Sequence, residues 1–86
     1  MLFSFELDKP GDIIATFERL KHKLTATGGQ LTGNEKEGLI SAVGVKGEYV
    51  VNTDTITITV TKKPSPVFPN KLIEKRIRAI FQEISG

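Results

Sequence analysis

Threonine alternates with apolar residues through the second half of the chain, from Thr55 to Thr61. The residues between the threonines are Ile56, Ile58 and Val60, and a period of two is typical of a strand with one buried face. Buried parallel strands are apolar on both faces, so this pattern favours an antiparallel sheet. A slip of one residue would bury the threonines, and the pattern therefore strongly fixes the register.

The amino-terminal part of the chain predicts one strand and one helix. Residues 2–7 alternate between apolar and polar side chains, as a first strand does. Apolar residues then recur at helical spacing and predict an amphipathic helix: Ile13, Phe17, Leu20 and Leu24. We expect Asp8 to cap this helix, Pro10 to lie in its first turn, and one of the glycines 28–29 to end it.

Four further strand candidates and a second helix follow. Strands are predicted at 30–33, 38–43, 45–51 and in the threonine-rich segment, with turns between them at 34–37 and 52–54. Three prolines within 64–69 prevent the last strand from continuing. We expect Pro69 in the first turn of a helix whose apolar stripe is Ile73, Ile77, Ile80, Phe81 and Ile84.

Taken together, the elements predict a single α+β domain over residues 1–86. The expected architecture is one antiparallel sheet of four or five strands with two helices on one face, in the order β-α-β-β-β-β-α. A chain of 86 residues is long enough for one domain with a modest core.

Composition excludes several classes of site. The chain has no cysteine, which rules out disulfides, thiolate zinc sites and a cysteine nucleophile. No apolar run approaches the about 18 residues of a transmembrane helix, and the first residues do not read as a signal peptide. We therefore expect a cytoplasmic protein with no transmembrane segment.

No constellation of catalytic residues is visible. His22 is the single histidine and faces solvent in the predicted helix, where it lies four residues after Glu18. Glu35 and Glu37 flank a lysine in a predicted turn, and no nucleophile elbow or phosphate-binding loop occurs. We expect no enzymatic activity, no catalytic residue, no metal site and no cofactor.

The carboxy-terminal part of the chain is its basic part. Lys71, Lys75 and Arg78 are spaced at i, i+4 and i+7 on the last helix and form a basic ridge. Such a ridge suits an anionic surface, a phosphate group or an acidic protein partner, and it is also an ordinary solvated helix face. The threonine row, which consists of Thr55, Thr57, Thr59 and Thr61, also has two interpretations. It is either a surface that binds a ligand or the solvent-exposed face of the sheet. Single-stranded nucleic acid would require exposed aromatics on the sheet, which the pattern does not predict.

The segment Gly44–Val51 enters a strand through a glycine-hydrophobic-x-glycine step. A hairpin, an alternating strand, a proline-interrupted linker and an amphipathic helix follow it. This arrangement resembles the polyhydroxyalkanoic acid system protein family, weakly over most of the chain and most strongly over 38–84. The resemblance implies a small accessory or granule-associated protein with a reduced helix-grip-like domain. Helix-grip domains often hold apolar ligands between the sheet and the long helix.

Three functions remain open from the sequence. The first is a non-enzymatic accessory protein that associates with polyhydroxyalkanoate granules or binds an anionic surface or protein partner. The second is an apolar small-molecule binding or carrier domain with a cavity under the carboxy-terminal helix, which a ligand-sized cavity would favour. We expect such a cavity to be lined by Phe3, Phe5, Ile58, Ile77 and Phe81. The third is a homo-oligomer that pairs through an edge strand or through Leu72 and Ala79.

Overall fold

Two helices and five strands make up the fold in a computed structural model that describes residues 2–42 and 44–85. In chain order the elements are β1 (Phe3–Asp8), α1 (Ile13–Ala26), β2 (Gln30–Gly33), β3 (Glu37–Ala42), β4 (Val45–Val51), β5 (Thr55–Lys62) and α2 (Asn70–Ser85). This order and the α+β class confirm the prediction. Val43, where the sequence pattern places the end of β3, lies outside the described residues.

The five strands form one antiparallel sheet in the order β1-β5-β4-β3-β2. Strands β2 to β5 follow one another as a meander, because each connection between them is short. Strand β1 pairs with β5, so α1 carries the chain from one edge of the sheet to the other. Helix α1 therefore crosses the sheet on its apolar face.

The register of the sheet separates its apolar face from its polar face. Phe5 and Tyr49 lie on either side of Ile58, directly opposite it on the neighbouring strands. Ile56, Ile58 and Val60 are 0% exposed beneath the helices. The alternate residues of β5 point away from the helices, and three of them are half-buried threonines: Thr55, Thr57 and Thr59. The two faces predicted for this strand are therefore confirmed.

Helix α1 begins later than the sequence suggested. Asp12, not Asp8, is the N-cap, and its Oδ1 accepts a hydrogen bond of 3.0 Å from the backbone N–H of Ala15. Asp8 is the last residue of β1, and Pro10 precedes the helix. Proline disfavours helical backbone angles in the residue before it, which favours an extended chain at Lys9 and a later start of the helix.

Two consecutive glycines end α1, as predicted. Gly28 has a φ of +86°, in the left-handed region that favours glycine. Its N–H donates to the carbonyl of Thr25, and the N–H of Gly29 donates to the carbonyl of Leu24. This pair of bonds is a Schellman motif, and it turns the chain directly into β2.

Helix α2 begins after the proline segment. The carbonyl of Pro69 accepts hydrogen bonds from the backbone N–H groups of Leu72 and Ile73, so Pro69 precedes the first turn and does not lie within it. Lys63 secures the segment, because its Nζ donates to the carbonyl of Phe68 and to Oδ1 of Asn70, each at 3.0 Å.

Tyr49 fills the space beneath the β2–β3 hairpin. Its hydroxyl donates a 2.6 Å hydrogen bond to the carbonyl of Asn34, and its ring lies 4.8 Å from that of Phe17. A Cβ atom on Gly38 would lie 2.6 Å from this hydroxyl, and one on Gly33 would lie 2.9 Å from it. The two glycines face each other across the hairpin and leave room for the phenol.

The separation of the two faces of β5 predicts unequal effects of neighbouring substitutions. Ile58→Ala should lower the free energy of unfolding by about 2–5 kcal/mol, because it removes transfer energy and leaves a cavity. Thr57→Ala should lower it by about 1 kcal/mol or less, since it removes one hydrogen bond, from Nδ2 of Asn52, on the open face. Urea denaturation of the two variants measures this difference, and equal losses would contradict the assignment of faces.

Candidate functional site

A cavity of about 320 Å³ lies between the two helices, near the end of the sheet where β3 turns into β4. Both helical stripes contribute to it, because each turns its apolar residues towards the other helix and the sheet. Leu20 and Leu24 come from α1, and Ile73 and Phe81 come from α2. All four side chains are buried, at 3–7% exposure, and form the deep part of the cavity.

The sheet side of the cavity is formed by small and medium apolar residues. Ile40 and Ala42 of β3 line it together with Val45. The residue opposite Ile40 on β4 is Gly47, so the inner face carries no side chain between Ile40 and Val60. A Cβ atom on Gly47 would lie 2.8 Å from the carbonyl oxygen of Thr59, which explains the glycine.

The rim of the cavity is built from the proline segment and α2. Pro64 and Phe68 border it, and the β3–β4 turn lies close to Pro64, since a Cβ atom on Gly44 would be 3.2 Å from the ring. Arg76 and Pro64 are its exposed lining residues. Among the described residues, Arg76 is the one charged group of the lining, and it forms no hydrogen bond or ion pair.

The cavity lies in a different place from the one expected. Ile77 and Phe81 line it as predicted, but Phe3, Phe5 and Ile58 do not. Helix α2 packs directly against the β1 side of the sheet, so Phe5 and Ile58 are filled core positions at 8% and 0% exposure, and Phe3 is half-buried against them.

Arg76 was missed by sequence reasoning, which placed the basic site on the other side of α2. The sequence does contain a signal that Arg76 lies near the buried stripe, because it follows Ile73 by three residues and precedes Ile80 by four. Residues so spaced lie on adjoining rows of one helix face. Arg76 therefore flanks the buried stripe and reaches the rim of the cavity.

The predicted basic ridge does form on the outer face of α2. Lys71, Lys75 and Arg78 line one surface hollow, and the two lysines are exposed. Arg78 is already engaged, because its Nε lies 2.8 Å from Oε2 of Glu74 and its Cζ lies 5.2 Å from the centroid of the Phe5 ring. Glu74 thus lowers the positive charge of the ridge. Binding of an anionic surface there stays a prediction.

Basic residues of α1 have a structural role. Nη1 of Arg19 donates to the carbonyl of Ile84 at 2.9 Å, and Nζ of Lys23 lies 2.8 Å from Oε1 of Glu83. Both cations lie at the carboxy-terminal end of α2, where positive charge complements the helix dipole. His22, between them, is exposed as predicted.

The threonine row on the open face is partly engaged in local hydrogen bonds. Nδ2 of Asn52 donates to the hydroxyls of Thr55 and Thr57, and the hydroxyl of Thr55 donates to Oε2 of Glu6. The hydroxyl of Thr61 donates to the carbonyl of Lys46, next to an irregularity in the pairing of β4 with β5. These hydrogen bonds support the interpretation that the threonine row is the solvent-exposed face of the sheet.

Residues 2–42 and 44–85 contain neither a metal-binding cluster nor a membrane-spanning helix. No three histidine or carboxylate side chains within that part of the chain come together as a metal site would require. No helix within it has the length and apolar character needed to cross a membrane.

Comparison with known proteins yields no relative. No family model matches the chain, and no curated protein or solved structure matches it significantly. The cavity and the ridge are thus judged on their geometry alone.

The phenol of Tyr49 has a pKa above its usual value. Burial raises the pKa of its phenol above the usual 10.0, and the negative charge of Glu35 raises it further. Folding therefore favours the protonated phenol, and the stability that Tyr49 contributes is complete below pH 10 and declines as the pH rises above it.

The titration of Tyr49 can be followed directly, because it is the single tyrosine of the chain. We expect phenolate absorbance of the folded protein to appear at higher pH than in urea. The free energy of unfolding should fall above about pH 10, and Tyr49→Phe should remove part of that fall. An unshifted absorbance titration in the folded protein would contradict the buried phenol.

Arg78 should differ from the two lysines of the ridge. Arg78→Gln should lower the free energy of unfolding by about 1 kcal/mol, because it removes a cation–π contact and an ion pair. Lys71→Gln and Lys75→Gln should leave it nearly unchanged, since both side chains are exposed. Thermal denaturation of the three variants makes the comparison, and an unaffected Arg78→Gln would show that its contacts contribute nothing.

Proposed function

We propose that this protein binds a small apolar molecule in the cavity between α1, α2 and the β3–β4 end of the sheet. The observation that supports this proposal is the cavity itself, with a volume of about 320 Å³ and a lining that is apolar except for Ser41 and Arg76. Ligand sites in proteins usually span about 300–1,000 Å³ and combine an apolar lining with a few polar groups. This cavity has both properties.

The size of the cavity suits a small ligand. A water occupies about 30 Å³ in the liquid, so the cavity has room for roughly ten atoms or groups of that size. Water gains few hydrogen bonds against leucine and isoleucine, whereas an apolar ligand would bury surface worth about 25 cal/mol per Å².

The lining suits binding or transport of a ligand better than its chemical conversion. The side chains of Leu20, Leu24 and Ile73 offer a ligand only dispersion contacts, and among the described residues no carboxylate or histidine lines the cavity. A nucleophile would need a neighbouring base, and none lies beside Ser41 in the lining. These residues support a non-enzymatic accessory or carrier role.

The basic ridge supports a second function less strongly. Lys71 and Lys75 are exposed, but Arg78 is held by Glu74 and Phe5. An anionic surface or acidic partner would therefore meet two available cations on an otherwise ordinary helix face. Association with polyhydroxyalkanoate granules, which the family resemblance implies, rests on that resemblance alone.

A neutral apolar probe tests the cavity without involving charge. Decanol should bind the wild-type protein with a negative heat-capacity change, as burial of apolar surface requires. Ala42→Leu should abolish this binding, because the added side chain projects from a lining position into the cavity. Isothermal titration calorimetry measures decanol binding by both proteins, at concentrations below the solubility limit of the alcohol.

Ala79→Leu is the matched control for this experiment. It adds the same atoms at an exposed position on the outer face of α2 and should leave decanol binding intact. Circular dichroism should show both variants folded. Failure of the wild type to bind decanol, or unchanged binding by Ala42→Leu, would refute the proposed function.

A further inference from the structure

Arg76 combines three properties that no other basic residue of α2 has. It borders the apolar cavity, it is exposed at the rim, and it has no hydrogen bond or ion pair among the described residues. Lys71, Lys75 and Arg78 line the outer face of the helix instead. Lys63, in the nearby proline segment, is held by Phe68 and Asn70.

The acidic residues of α2 do not neutralise Arg76. Glu74 is paired with Arg78, and Glu83 is paired with Lys23. No aspartate or glutamate of residues 2–42 or 44–85 lines the cavity. Within the described part of the chain, Arg76 is therefore a cation without a counter-ion at the mouth of an apolar chamber.

Guanidinium groups suit one ligand chemistry especially well. Their planar fork donates two parallel hydrogen bonds to a carboxylate, and these charge-assisted bonds are stronger than neutral ones. When one end of a ligand binds Arg76 at the rim, the rest of the ligand lies next to Ile73, Ile77 and Ile80, which line the cavity. The arrangement fits a molecule that is anionic at one end and apolar along its length.

We infer that the ligand is a medium-chain monocarboxylate whose carboxylate binds Arg76 and whose alkyl chain occupies the cavity. This inference rests on the proposed function and adds the chemical class of the ligand. A cavity of about 320 Å³ accommodates roughly ten atoms or groups, which sets the chain length near that of decanoate. The excess of basic residues after residue 61 adds a favourable field for an anion.

The test compares three probes with one chain length: decanoate, decanol and decyltrimethylammonium. The wild-type protein should bind decanoate about tenfold more tightly than decanol, and the cationic probe most weakly, because a hydrogen bond to a charged group adds to the apolar contacts. The advantage of decanoate should shrink as salt is added, whereas decanol binding should not weaken. Calorimetry below the aggregation limit of each probe gives the affinities.

The Arg76→Gln variant tests whether Arg76 is the residue that distinguishes decanoate from decanol. Arg76 is exposed and without a partner among the described residues, so the variant should fold normally. It should bind decanol as the wild type does but lose the preference for decanoate. Lys75→Gln, one residue away on the outer face, is the matched control and should keep that preference.

The outcomes separate this inference from the proposed function. Equal binding of decanoate and decanol by the wild type, or a preference for decanoate that survives Arg76→Gln, would overturn the role of Arg76 while leaving the cavity as a ligand site. Loss of the preference in Lys75→Gln as well would show that the general basic field, and not Arg76, selects the anion. Failure of decanol to bind the wild type would refute the proposed function, and failure of decanoate to bind as well would refute both proposals.

Discussion

The complete burial of Ile56, Ile58 and Val60 is the constraint on which the rest of the structure depends. These side chains are 0% exposed, and each contributes about 1.5–3 kcal/mol when fully buried. Strand β5 pairs on both sides, so its register also sets which residues of β1 and β4 face the helices. A slip of one residue would place threonine hydroxyls in the core, where each unpaired group would cost free energy.

Covering this face determines where the helices lie and where they leave a gap. Helix α2 is held at β1 by Arg78 over Phe5, and at its carboxy-terminal end by Arg19 and Lys23 of α1. The cavity extends along α2 from Ile73 to Phe81, and Pro64, Phe68 and the β3–β4 end of the sheet border it on the other side. The cavity is thus a consequence of how the apolar stripes of two helices meet one end of the sheet.

The fold could be read from the sequence because it follows from local periodicity. Period two identified the strands, period 3.6 identified the helices, and the left-handed Gly28 followed from two adjacent glycines. The start of α1 was misplaced because Asp8 and Asp12 are both good caps, and only the extended backbone before Pro10 decides between them. The position of the cavity was misjudged for a different reason. Periodicity predicts which side chains face inwards. Whether the side chains of the helices contact those of the sheet depends on the distance between these two layers, which no local sequence pattern indicates.

The cavity has a thermodynamic consequence that a filled core would not have. Its lining forgoes dispersion contacts that one larger side chain at Ala42 would restore. A bound ligand restores the same contacts, but only while it is bound. Its binding then stabilises the folded protein by RT ln(1 + [L]/Kd), which is about 2.7 kcal/mol at a ligand concentration of 100 Kd. That is a large share of the about 5–15 kcal/mol that stabilises a typical domain, so the proposed ligand would couple occupancy of the cavity to resistance to unfolding.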